Sequence, residues 1–388
     1  MAVALINGRV MTDAGLVDGL AVLIAGDRIA AVTPTADIPA GAARRDLGGG
    51  LLLPGFIDIQ VNGGGGVLFN DSPTAKSIAA IGAAHRRFGV TGFLPTLISD
   101  TLPTIRAAMA AATEAIVSGT PGVLGVHIEG PFLNIERKGI HEADKLRRMD
   151  GEGLEILTSP KAGRTVVTLA PEMVSAGHIS ALAAAGVIVS AGHTNATYSE
   201  VIEALDGGLT GFTHLFNAMS PLAPRAPGAV GAALSDPRAW CGIIVDGRHV
   251  DPVVLKIALA CRPHDRFMLI TDAMPCVGAD CASFTLQGKL ITVRDGACFD
   301  ENGALAGSDL DMAGALRNAI SMLGIDLADA SAMASGNPAR FLGLGEELGR
   351  IAPGYRADLV LLDDTLHVQE TWIGGADTSS GGRQAASA

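Results

Sequence analysis

Four side chains in the middle of the chain carry the chemistry of a metal-assisted hydrolysis. Glu129 ends the run Val126-His127-Ile128-Glu129, and His193 follows Ser190-Ala191-Gly192. His214 ends a third apolar run and Asp272 ends Leu269-Ile270-Thr271-Asp272. Two imidazoles and a carboxylate form a common catalytic zinc set that leaves one coordination position open for water. A second carboxylate nearby is suited to take that water's proton. Taken singly, a strand-end Asp more often caps the following helix, and a lone His is usually a satisfied core or surface group. The weight lies in the position the four share, each at the C-terminal end of an apolar run. His127, two residues before Glu129, lies on the same face of its strand. It either supports the ligands from behind or fills the interior.

The elements that would position these groups alternate between apolar strands and Ala-rich helical stretches. Candidate strands end near Asp58, Thr96, Glu129, Ala170, Ala191, His214, Asp246 and Asp272. Eight strands at an average spacing of about 31 residues match a (β/α)8 barrel of roughly 250 residues. Runs such as Gly242-Ile243-Ile244-Val245 are continuously apolar, as parallel strands covered on both faces require. Helices over 73–88 and 103–118 each begin with Pro near the first turn. In such a barrel the C-terminal strand ends carry the chemistry. A doubly wound sheet shares the alternation, but not the β-rich ends of the chain.

Those ends read as short strands broken by Gly and Asn/Asp turns: Ala4–Val10 and Ala21–Ile29 at one end, Ala357–Asp363 and His367–Trp372 at the other. The expected organisation is a small β-sandwich formed by both termini, residues 1–53 plus 345–374, around a barrel over 54–344. Residues 276–304 are expected to form a hairpin excursion turning at Gln287-Gly288, and 375–388 a disordered tail.

Composition narrows the setting. The chain has 388 residues, 48% hydrophobic and 18% charged, and its mean hydropathy of +0.36 raises the question of a membrane span. The longest uncharged stretch, Met173 to Gly192, divides at Gly186 into a helix-like half and a Val/Ile-rich half, which reads as a helix followed by a buried strand. No signal-peptide pattern opens the sequence. A net charge of −12 without a Lys/Arg cluster argues against nucleic acid as the partner. Five cysteines without framework spacing fit a reducing, cytoplasmic setting. Cys276 and Cys281 are read as ordinary thiols rather than metal ligands.

Several segments together resemble the amidohydrolase superfamily, and within it the N-acetylglucosamine-6-phosphate deacetylase family. They are Asp58-Ile59-Gln60-Val61-Asn62-Gly63, His127-Ile128-Glu129-Gly130-Pro131, Ala191-Gly192-His193-Thr194-Asn195-Ala196 and His214-Leu215-Phe216-Asn217-Ala218-Met219. Asp246-Gly247-Arg248-His249, Thr271-Asp272-Ala273, Leu305-Ala306-Gly307-Ser308 and Asn337-Pro338-Ala339 continue the series in order. The resemblance implies a (β/α)8 barrel hydrolase that removes the acetyl group of N-acetyl-D-glucosamine 6-phosphate in amino-sugar catabolism and cell-wall recycling. It implies one divalent metal ion held by Glu129, His193 and His214, with Asp272 as general base and acid. Zn²⁺ suits the set, and Fe²⁺, Co²⁺ and Mn²⁺ are compatible with it. His141 would face the acetamide carbonyl beside Ile140. Asn217, the Ala218 backbone, Arg225 and His249 would hold the sugar phosphate, and Leu305, Ala306 and Gly307 would line the site. Arg225 would reach in from a neighbouring subunit, which makes the expected assembly a homodimer.

Two departures from the pattern matter. Where many amidohydrolases carry two first-strand histidines for a second metal, this chain has Gln60 and Asn62. Neutral amides bind zinc poorly beside imidazole and carboxylate, so one ion is expected. The Arg-Glu-Pro-Gly of the family reads Arg225-Ala226-Pro227-Gly228, which keeps the arginine but not its glutamate neighbour. Two other readings compete: a different amidohydrolase acting on a cyclic amide or N-acyl amino acid, and a non-catalytic scaffold of the same fold.

Overall fold

The computed structural model describes residues 2–159 and 162–377. Eight parallel strands wind in chain order: β1 Phe56–Val61, β2 Val90–Ile98, β3 Gly125–Glu129, β4 Arg164–Leu169, β5 Ile188–Ala191, β6 Leu209–Phe212, β7 Trp240–Ile243 and β8 Phe267–Leu269. Each pairs with the next, from β1 to β8. The barrel closes through a parallel bridge between Val61 and Ala273. There the Asp272 N–H donates to Gln60 O at 3.1 Å and the Asn62 N–H to Ala273 O at 2.9 Å.

Strands β1, β2 and β3 are buried at every residue, as their unbroken apolar runs require when helices cover the outside. The helices begin where side chains can satisfy their first N–H groups. Thr101 caps Leu102–Val117, with Pro103 in its first turn. Thr197 and Glu200 form a reciprocal capping box on Tyr198–Asp206. The stretch from Met173 to Gly192 divides as its glycine suggested, into the helix Ala176–Ala184 and strand β5.

Both ends of the chain build two further sheets. Strands from residues 3–6, 20–25, 28–34 and 43–46 form one, and residues 9–12, 15–17, 51–54, 359–362, 368–373 and 376–377 form the other. Leu5, Val22 and Ile24 of the first pack against Leu52, Leu359, Leu361 and Trp372 of the second in one apolar cluster.

Three expectations need correction. The hairpin expected around Gln287-Gly288 is present, but it belongs to a larger four-stranded antiparallel sheet: Ser283–Leu286, Lys289–Arg294, Ala297–Phe299 and Leu305–Ser308. The last strand returns to the barrel through a bridge between Ser308 and Ala273. Residues 375–377 belong to a turn and a short strand paired with Trp372 and Ile373, so they are not a tail; 378–388 lie outside the described residues. His214 and Asp272 lie past the ends of β6 and β8 rather than on them.

Two histidines are structural parts of this core. His127 Nδ1–H donates to the Ile59 carbonyl at 3.0 Å, so Nε2 accepts from Thr168 Oγ1 at 2.7 Å. That hydroxyl meets Thr213 Oγ1 at 2.6 Å, and Thr213 in turn meets Ser190 Oγ at 2.7 Å, a buried polar chain across the barrel interior. His127 therefore fills the barrel. His85, on the first helix, donates from Nε2 to Gly63 O at 2.8 Å and ties down the loop after β1. Burial pushes both imidazoles down to about 4. Between that value and the ordinary 6.5 the unfolded chain binds protons that the fold excludes, so stability falls as pH drops through this window. Urea-denaturation midpoints measured from pH 7 to pH 4 should show this fall. His85→Gln, which retains a donor for Gly63, should flatten the slope; an unchanged slope would mean that His85 is not a neutral buried group.

Candidate active site

The loops at the C-terminal end of the barrel bring Glu129, His193 and His214 into one cluster. Glu129 Oε1 lies 3.0 Å from His214 Nε2 and 3.3 Å from His193 Nε2, and the two Nε2 atoms are 3.0 Å apart. Ligand atoms at about 2.0–2.1 Å around a tetrahedral ion stand roughly 3.3 Å from one another, so this triangle has the dimensions of a ligand set. The tautomer of His193 agrees. Its Nδ1–H donates to Arg137 O at 2.8 Å, which leaves the lone pair on Nε2 facing the centre. Burial opposes a charge on Glu129, yet hydrogen bonds and charge from the two histidines hold its carboxyl well below the usual range.

His193, His214 and Asp272 all adopt left-handed backbone conformations, with φ of 47°, 36° and 52°. For residues with a Cβ this costs on the order of 1–2 kcal/mol each, and such strain concentrates at functional sites. It arises because the chain turns sharply off the strand ends to aim these side chains inward.

Asp272 sits across from Glu129 with the Gln60 amide between them. Gln60 Nε2 lies 3.3 Å from each Glu129 oxygen and 3.1 Å from Asp272 Oδ1. Asn62 Nδ2 donates to the same Asp272 oxygen at 2.7 Å. Two amides thus hold Oδ1 and leave Oδ2 for chemistry. Burial raises the Asp272 carboxyl above its ordinary range, and the charge of Glu129 adds to this. The Gln60 amide fills the space between the two carboxylates.

The remaining walls of the cleft carry polar groups of defined orientation. His141 Nδ1 accepts the Ser99 backbone N–H at 3.3 Å and lies 2.7 Å from Ser99 Oγ. Burial, then the neighbouring His193, holds His141 well below its ordinary pKa. A neutral ring with an accepting Nδ1 has its hydrogen on Nε2, so His141 offers the cleft a donor. His249 Nδ1–H donates to Asp246 Oδ2 at 2.6 Å, which fixes that ring in turn. Glu172 ties three loops together by accepting from Asn134 Nδ2 (2.9 Å), Thr194 Oγ1 (2.6 Å) and the Asn195 N–H (2.6 Å).

Most of the residues named from sequence meet here. Ile140, His141, Asn217, Ala218, His249, Leu305 and Gly307 line the cleft with the ligand triad and Asp272. Ala306, alternating with them, points into an apolar cluster with Met274 and Leu286. Arg225 is exposed and outside the cleft of its own chain. Among the described residues, none that lines the cleft is Lys or Arg. Asn62, Ser99, Asp246 and Glu172 were not singled out as site residues from sequence. Asn62 was noted only as a departure from the two-histidine pattern; the other three act through contacts between loops that no spacing reveals. Cys276 approaches Cys298, at 3.6 Å, rather than Cys281.

Comparison with known proteins agrees with this geometry. The sequence profile of the amidohydrolase family matches residues 51–379, and that of the NagA composite domain matches residues 3–52. An N-acetylgalactosamine-6-phosphate deacetylase from Shewanella sp. (strain ANA-3) is 41% identical over 95% of this chain and 94% of its own. The crystal structure of N-acetylglucosamine-6-phosphate deacetylase from Pasteurella multocida superposes with a TM-score of 0.94 at 35% identity, covering 97% of this chain and 100% of that one. A mutant of the Mycobacterium smegmatis enzyme in complex with N-acetyl-D-glucosamine-6-phosphate superposes at 0.88, with 33% identity and 97% and 98% coverage.

The bridging amide makes a prediction about the metal-free protein. Gln60→Ala leaves two buried carboxylates facing each other without their shared donor. An unsatisfied buried group costs about 1–3 kcal/mol, so urea denaturation in chelator should show a loss of that size. No loss would mean that the amide does not bridge the two acids.

Proposed function

The chain belongs to the amidohydrolase family, and on that premise we propose that it removes the acetyl group from N-acetyl-D-glucosamine 6-phosphate, giving D-glucosamine 6-phosphate and acetate in amino-sugar catabolism. What carries this reading is one juxtaposition: a Glu/His/His ligand triangle shares its cleft with a buried, amide-held Asp272 and a His141 that turns its N–H toward the cleft. A non-catalytic scaffold has no use for that combination.

Glu129, His193 and His214 would hold one divalent ion, zinc by its preference for this donor set. When bound, such an ion polarises a carbonyl and lowers the pKa of water towards about 7. The protein's own groups supply the rest. Asp272 takes a proton from the attacking water on Oδ2, while Gln60 and Asn62 keep Oδ1 occupied. The His141 Nε2–H donates to the acetamide oxygen as negative charge builds there, a contribution of about 3–4 kcal/mol for a well-placed donor. Asp272 then delivers its proton to the departing nitrogen as the C–N bond breaks. Asn217, the Ala218 backbone and His249, held by Asp246, orient the sugar.

Among the described residues, none that lines the cleft is a Lys or Arg that could meet the phosphate. We assign that charge to the partner's Arg225 in a homodimer. Arg225 is exposed on a loop that also presents Leu222, 59% exposed. No helix among the described residues is long and apolar enough to cross a membrane. The free cysteines suit a reducing cytoplasm.

Four measurements test this. Acetate release from N-acetylglucosamine 6-phosphate should require about one zinc per chain and stop in chelator. Asp272→Asn should keep the metal and lose about 10²–10⁴-fold in kcat; near-normal turnover with full metal would remove Asp272 from the reaction. The galacto epimer belongs in the same assay, because the Shewanella relative is named for it, and a higher kcat/KM on that epimer would transfer the assignment. Arg225→Ala should raise KM for the phosphorylated sugar roughly 10–100-fold, the worth of a hydrogen bond to a charged group, and leave N-acetylglucosamine itself unaffected. An equal effect on both sugars would exclude Arg225 from phosphate binding.

A further inference from the structure

The last strand of the excursion after β8 lines the cleft, but its first hairpin, outside the cleft, also touches the groups behind the cleft wall. Ser283–Leu286 and Lys289–Arg294 pair antiparallel around a two-residue turn, Gln287-Gly288. Both turn residues have positive φ, 47° and 81°. Turns of this kind favour Asn-Gly, Asp-Gly or Gly-Gly, because the first position otherwise carries a strained Cβ. Gln is a poor choice for the turn itself.

The side chain supplies the reason. Gln287 Nε2 donates to the Ser99 carbonyl at 2.7 Å. Ser99 is the residue whose N–H and Oγ both meet His141 Nδ1. Asn or Asp, one methylene shorter, would suit the turn but fall short of Ser99. Two residues on, Lys289 Nζ donates to the Ile140 carbonyl at 3.3 Å, immediately before His141. The hairpin therefore grips the chain on both sides of the imidazole. Leu286 and Ile291 anchor it in a cluster with Ile98, Ile140 and Met274. The amide's Oε1 is buried without a partner, so the side chain is held in place by its donor end.

We propose that Gln287 is a positioning residue: through Ser99 it fixes the ring of His141 so that Nε2–H points at the reacting carbonyl oxygen. A displacement of about 1 Å at a reacting group can cost 10²-fold in rate, so a turn residue outside the cleft can govern turnover. The proposal rests on the role given to His141 above, and its test separates the two.

Gln287→Gly removes the donor and relieves the turn. It should leave the thermal midpoint unchanged or raised while kcat falls tenfold or more and KM stays within about threefold. Gln287→Glu, of the same shape but with no N–H, should lower kcat in the same way. If Gln287 acts only through His141, Gln287→Gly added to His141→Gln should cause no further loss. Wild-type kcat in Gln287→Gly, with His141→Gln impaired, would overturn the proposal and leave the mechanism standing. So would an undiminished second loss in the double variant. Full activity in His141→Gln would overturn the role of His141 and the proposal with it.

Discussion

Closure of the barrel between its first and last strands is the constraint on which the site depends. Backbone hydrogen bonds at the seam set Gln60 and Asn62 beside Asp272, and the barrel's circumference sets Glu129 across from them. Two carboxylates then occupy a water-poor interior. Burying like charges together is costly unless donors intervene. The Gln60 amide answers that demand without bringing a charge of its own.

The same economy governs the imidazoles. His127, His85 and His193 each donate a ring hydrogen to a main-chain carbonyl, and His141 accepts a main-chain N–H. Backbone groups thus decide which nitrogen of each ring is free. In two cases the free nitrogen belongs to the core, and in two it faces the cleft. Residue type alone does not separate these roles. The partner on the far side of the ring does.

That is why the sequence was informative about some residues and silent about others. Continuous apolar runs made the barrel strands legible, and Glu129 could be placed because it ends one of them. His214 and Asp272 were visible as reactive types, but their left-handed turns beyond the strand ends follow from tertiary aim and not from any local pattern. The bridging geometry of Gln60 was unreadable, because a substitution at a metal position says what is lost and not what replaces it. Ala306 was grouped with Leu305 and Gly307 as a motif, although strand alternation sends it to the opposite side. Cys276 was weighed against Cys281, its neighbour in sequence, while folding of the excursion brings Cys298 beside it instead.

The terminal sandwich sets a schedule for the chain's birth. Leu51–Pro54 lies between Arg9–Val10 and Leu359–Leu362, one made before it and the other roughly 300 residues later. Translation at about 5–20 residues per second leaves that apolar strand with one open edge for on the order of tens of seconds. The barrel grows during the wait, tethered to an unfinished sheet. An exposed edge of this kind invites pairing with other nascent chains, and the strand that covers it, Leu359–Leu362, is made only after all eight barrel strands.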